Sequence, residues 1–142
     1  MPGKEKKIVI ATHGTLAQGL LSAMKIIVGD DPRVSAVCCY TDPDFDMEAT
    51  IERIFEETDF EKEELIVCTD LFGGSVCNTF FAHYNDHPFQ LVTNINLGFM
   101  IDLLITTDEL STDVLRKKCH NDLYRPLEVT ETITGTSDDD DI

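Results

Sequence analysis

Two hydrophobic rhythms alternate along this chain. Ile8-Val9-Ile10-Ala11 is an unbroken, largely β-branched run closed by Thr12-His13-Gly14, as in a strand buried on both faces. Leu16, Leu20, Met24 and Ile27 then recur at helical spacing, and Gly29 follows as a stop, which predicts a first helix. Val34 to Tyr40 predicts a second strand. The turn Asp42-Pro43-Asp44 can supply a side-chain oxygen to cap the next helix, whose buried stripe is Met47, Ile51, Ile54 and Phe55. Leu65 to Thr69 predicts a third buried strand leading into Asp70-Leu71-Phe72-Gly73-Gly74-Ser75, with a helix from Val76 to Tyr84 and a fourth strand over Phe89 to Thr93. Leu97, Met100, Ile101, Leu104 and Ile105 mark one amphipathic helix, and Ser111 to Cys119 predicts another. Finally, Leu127, Val129 and Ile133 alternate with Glu128, Thr130 and Thr132 at a strand period, as in a half-exposed edge strand.

Strands alternating with helices imply a doubly wound α/β fold. The expected sheet is mostly parallel and five-stranded, in the order 2-1-3-4-5, with the last strand an antiparallel edge and helices on both faces. Residues 1–136 are expected to form one domain. Ser137 to Ile142, with four consecutive aspartates, carries too little apolar surface to fold and is expected to be a disordered tail. In this strand order the crevice lies beyond the carboxyl ends of strands one and three, where the winding direction reverses.

Charge and cysteine usage narrow the partners. A net charge of −16 over 142 residues repels phosphate backbones and anionic lipid surfaces, so nucleic-acid binding is not expected. The run Ile8–Ala11 is too short for a signal-peptide core, and Leu97–Ile105, interrupted by Asp102, is too short to cross a bilayer. Five cysteines without Cys-x-x-Cys spacing read as small hydrophobes in a reducing, cytoplasmic protein, with Cys38 and Cys39 on opposite faces of their strand.

At the switch point, the loop after strand one brings Thr12, His13, Gly14 and Thr15 to face the loop from Asp70 to Asn78. His13 then meets Asp70, and a carboxylate on one ring nitrogen leaves the other as a directed nucleophile or base. Gly14, Gly73 and Gly74 let backbone amides approach, two helix starts offer unpaired N–H groups, and Thr12, Thr15 and Ser75 add hydroxyls. This is a cradle for an anion, suited to a phosphorylated histidine. No metal or cofactor is expected: His83 and His87 are four apart, but Pro88 follows and a third ligand is missing. His120, near a helix end, is expected to complement its dipole.

Ile8-Val9-Ile10-Ala11-Thr12-His13-Gly14 and Asp70-Leu71-Phe72-Gly73-Gly74-Ser75-Val76-Cys77-Asn78, with Asn94-Ile95-Asn96-Leu97, resemble the enzyme IIA component of the mannose-family sugar phosphotransferase system. The likeness spans about Lys7 to Ile133. It implies a phosphotransferase acting as phosphoryl carrier: the phosphocarrier HPr donates to His13 at Nε2, and His13 passes the group to enzyme IIB, which serves a membrane IIC/IID transport complex. It further implies that Asp70 orients His13, that Ser75 contacts the phosphoryl group, and that the chain is a homodimer whose segment Leu127–Ile133 pairs with the neighbouring subunit. Enzyme IIB is expected as a separate protein, since no IIB domain follows the aspartates. The family usually has proline after the Gly-Gly-Ser serine, whereas Val76 stands here, without a preset backbone angle at the start of the helix.

Other readings fit less well. A response-regulator receiver needs acidic residues where Thr12-His13-Gly14 stands, and a flavodoxin needs aromatic residues over its flavin, in a chain with no Trp and three Tyr. The phosphoryl donor subunit of dihydroxyacetone kinase lacks the Gly-Gly-Ser-x-x-Asn arrangement of Gly73 to Asn78 and ranks second among phosphocarriers. A regulatory phosphohistidine module, signalling sugar status without feeding transport, would use the same histidine.

Overall fold

The computed structural model describes residues 3–106 and 110–130. Its elements follow in the order β1 (Glu5–His13), α1 (Leu16–Val28), β2 (Val34–Cys39), α2 (Met47–Glu56), β3 (Glu63–Thr69), α3 (Ser75–Ala82), β4 (Phe89–Val92), α4 (Leu97–Ile105), α5 (Thr112–Cys119) and a 3-10 turn (Asp122–Tyr124). Among the described residues the strands form one sheet in the order β2-β1-β3-β4, and every pairing is parallel.

The alternation of side chains along each strand splits the core into two layers. Ile8, Ile10, Ile66 and Cys68 pack with Ala17 and Met24 of α1 and with Met100, Leu103 and Leu104 of α4. Val9, Ala11, Leu65 and Val67 face the opposite way, against Ile51, Ile54 and Phe55 of α2 and Val76 and Phe80 of α3. Burial on both faces is why these strands read as continuous apolar runs. Cys38 and Cys39 fall in opposite layers, as expected.

Polar contacts define the helix ends. Asp46, not the Asp42-Pro43-Asp44 turn, caps α2 by accepting the Ala49 amide, while Asp42 accepts the amide of Asp44 within the turn. Asn96 caps α4 through the Phe99 amide. At the other end of α4, Lys6 Nζ donates to the carbonyls of Leu103 (2.9 Å), Leu104 (3.2 Å) and Thr106 (2.6 Å), neutralising a negative helix terminus. Desolvation at this site lowers the Lys6 pKa. No helix among the described residues is long and apolar enough to cross a membrane.

The expected fifth strand is corrected. Among the described residues the sheet has four strands, and Leu127 and Glu128 lie in no strand while Val129 and Thr130 have helical backbone. Thr132 and Ile133, like the aspartate tail, lie outside the described residues. A period of two marks a strand only where a neighbouring edge takes up its N–H and C=O groups, and Leu127 and Val129 remain exposed, with neither in the core.

Candidate functional site

β1 pairs with β3 from Glu5 to Ala11 and with β2 from Ile8 to His13. His13 is therefore the last residue of a central strand, opposite Cys39, and not part of the following loop. Its backbone N–H donates to Asp70 Oδ2 at 2.9 Å, and its Nδ1 lies 3.0 Å from the same oxygen and 3.3 Å from Oδ1. A carboxylate can only accept, so the ring proton sits on Nδ1 and the lone pair on Nε2. Nε2 lies 3.3 Å from Ser75 Oγ. The His13 side chain is 43% exposed and that of Asp70 13%, which leaves the nucleophilic edge accessible and its orienting partner half-enclosed.

The loop after β3 is shaped by backbone geometry. Gly73 has φ +82°, a left-handed conformation that a Cβ would strain. Gly74 is constrained by space: a Cβ there would sit 3.1 Å from the Leu71 carbonyl oxygen and 3.2 Å from His13 Cε1. Gly74 donates its amide to Leu71 O (3.0 Å), Asn78 Nδ2 donates to Gly73 O (3.1 Å), and Phe72 donates its amide to Asn94 Oδ1 (2.8 Å). Asn94, with φ +59°, thus ties the end of β4 to this loop. Gly74 is the N-cap of α3 and provides no side-chain oxygen, so the first amides of α3 are left free beside Ser75 and Nε2. Val76, at the second position of α3, is fully buried and contributes to the core.

The predicted anion contacts divide. Ser75 reaches His13, while Thr15, exposed at the start of α1, makes no side-chain cap. Gly14 donates its amide to Cys39 O at 2.9 Å. Thr12 is corrected: it is fully buried, and its Oγ1 accepts the Ala17 amide at 2.7 Å. Neighbouring strand residues point to opposite faces, so Thr12 is directed into the α1 layer while His13 faces α3. His83 and His87 do not form a metal pair. His83 lies between Asp86 Oδ2 and Glu48 Oε1, both at 2.6 Å, and these bonds raise its pKa, whereas His87 stacks flat on Phe60. No group of three metal-ligating side chains occurs among the described residues. His120 is the C-cap residue of α5, where its amide meets the carbonyls of Arg116, Lys117 and Lys118.

One neighbour of His13 carries no signal in the sequence. The Tyr40 ring stacks on the imidazole at a centroid distance of 5.6 Å and 29° between planes, and Tyr40 and Phe45 form an edge-to-face pair with centroids 4.9 Å apart. Tyr40 follows β2 directly and has φ +62°. Only the packed structure shows where that ring goes.

A family profile described as the fructose IIA component of the phosphotransferase system matches residues 7–119, about four fifths of the chain. The chain belongs to the mannose-family IIA components of the sugar phosphotransferase system. Among solved structures, this IIA chain is similar to one described as a putative phosphoenolpyruvate-dependent sugar phosphotransferase system permease from Klebsiella pneumoniae, with 31% identity over 94% of this chain and 97% of that one and a TM-score of 0.83. A IIA protein associated with the fucose utilization operon of Streptococcus pneumoniae shares the fold at 24% identity, covering 94% and 99% of the two chains, with a TM-score of 0.75. A mannose/sorbose-specific IIA subunit from Enterococcus faecalis does so at 22% identity over 81% and 87%, with a TM-score of 0.68. No curated protein matches the chain.

Proposed function

We propose that this IIA component is a cytoplasmic phosphoryl carrier that takes its phosphoryl group from phospho-HPr on His13 Nε2 and passes it to a histidine of enzyme IIB, acting as a homodimer beside the membrane transport complex. The observation that carries this reading is the orientation of His13: Asp70 holds Nδ1–H, and Nε2 is aimed at Ser75 and the uncapped start of α3.

The Nε2 lone pair forms the new N–P bond as the donor's N–P bond breaks, and that bonding pair returns to the donor nitrogen. Nδ1 keeps its proton, so the phosphorylated ring is cationic and Asp70 balances it. Charge on the phosphoryl oxygens is met by the Ser75 hydroxyl and the first α3 amides, with Gly14, Gly73 and Thr15 beside them carrying no bulky side chain into the crevice; the amides of Gly14 and Gly74 are already bonded to the Cys39 and Leu71 carbonyls. Such positioning and charge stabilisation are what a loose phosphoryl-transfer transition state demands. Transfer to IIB runs the same steps in reverse.

The test is intact mass after incubation with phosphoenolpyruvate, enzyme I and HPr. A gain of one acid-labile phosphoryl group, absent in His13→Ala, is expected. No gain beside an active HPr control, or an equal gain in His13→Ala, would refute the assignment.

A further inference from the structure

Resting on the carrier reading above, we propose that Tyr40 is a positioning residue for phosphoryl transfer, holding the His13 imidazole by its face so that Nε2 stays on line with the start of α3. The Nδ1–H bond to Asp70 and the Ser75 contact at Nε2 hold the imidazole at its two ring nitrogens. They restrain in-plane rotation but resist tilting weakly. The Tyr40 ring supplies the missing restraint by stacking on the imidazole, while Gly74 closes off the Cε1 edge. The tyrosine is itself buttressed, since Phe45, packed against the core layer of α2 and α3, pairs with it edge to face.

Two independent features mark this as a built arrangement. Tyr40 is 46% exposed, so the stack is not a by-product of core burial. Its backbone is also left-handed, a conformation that costs a bulky L-residue free energy and that the fold can avoid with glycine or asparagine. Strained residues of this kind collect at functional sites, where the surroundings over-determine them. The gain grows during the reaction, because the imidazole becomes cationic on phosphorylation and an aromatic face attracts a cation more than a neutral ring.

The discriminating variants are Tyr40→Asn, which tolerates the left-handed backbone without the ring, and Tyr40→Phe, which keeps the ring. Single-turnover transfer from phospho-HPr is expected to slow about three- to tenfold in Tyr40→Asn and to stay within about twofold of wild type in Tyr40→Phe. Thermal midpoints of Tyr40→Asn are expected at or above wild type. In NMR spectra of the wild-type chain, nuclear Overhauser contacts are expected between the Tyr40 and His13 ring protons. The His13 ring signals are expected to move in Tyr40→Asn and to hold in Tyr40→Phe. Wild-type rates in Tyr40→Asn, an equal loss in Tyr40→Phe, or absence of the wild-type ring contacts would overturn the role. A wild-type chain that takes no phosphoryl group would overturn the carrier reading and this role with it, whereas normal phosphorylation with an indifferent Tyr40→Asn would overturn this role alone.

Discussion

Gly73 and Gly74 are adjacent in the chain but glycine for different physical reasons, and alanine substitutions separate them. At Gly74 the backbone is ordinary, with φ −75°, and the constraint is space: a new methyl would approach the Leu71 carbonyl oxygen at 3.1 Å and His13 Cε1 at 3.2 Å. Ordinary carbon contacts begin near 3.4 Å, so the imidazole must retreat by a few tenths of an ångström. Misplacement by about 1 Å can cost about 10²-fold in a positioned reaction, so a few tenths correspond to about four- to tenfold. At Gly73 a Cβ meets nothing within 4 Å, but φ is +82°. The cost there is conformational, about 1–2 kcal/mol. Urea unfolding and single-turnover transfer from phospho-HPr, measured on both variants, should give crossed results. Gly74→Ala is expected to lose transfer first, with a smaller stability loss from the crowded Leu71 carbonyl, and Gly73→Ala to lose stability first. Wild-type transfer in Gly74→Ala, with unmoved His13 ring signals, would show that the close approach does not position the ring.

Three further outcomes are expected. Asp70→Asn, which replaces an acceptor of two N–H groups and removes the charge opposite the phosphorylated ring, should slow transfer about 10²-fold with the fold intact; a rate near wild type would remove Asp70 from the mechanism. Thr12→Val should cost about 1–2 kcal/mol by orphaning the Ala17 amide, with transfer per folded molecule nearly unchanged; slowed transfer at full stability would instead place Thr12 on the phosphoryl group. His83 gains its raised pKa from the hydrogen bonds to Asp86 and then Glu48, so its stabilisation is complete below the unfolded value and is lost as pH rises through the folded one. Both partners are exposed, which limits the effect to about 0.5–1 kcal/mol, read as a stability gap between wild type and His83→Gln that is present near pH 6 and closes in alkali. A gap independent of pH would contradict the ion-pair account.

Much of the fold is legible in local pattern. A strand buried on both faces must be apolar at nearly every position, and α4 needs one wide apolar stripe, so Ile8–Ala11, Leu65–Cys68 and Leu97–Ile105 announce their elements directly. The pairing of His13 with Asp70, 57 positions away, was legible only through topology: alternating elements place strands one and three side by side, which brings their carboxyl ends together. What the pattern could not carry is direction and partnership. Whether a threonine beside the histidine faces the site or the core depends on where the strand ends, and β1 extends through His13, turning Thr12 inward to cap α1. Whether Leu127 and Val129 form a strand depends on an available edge, which period-two alternation does not reveal. Tyr40 meets His13 because β2 and β1 end in register and the chain then turns through a left-handed residue, a contact set by tertiary packing. Periodicity records how much of each residue must avoid water, so composition and spacing determine the elements; which side chains meet at the crevice is a matter of strand register and loop path, and these exist only once the sheet has assembled.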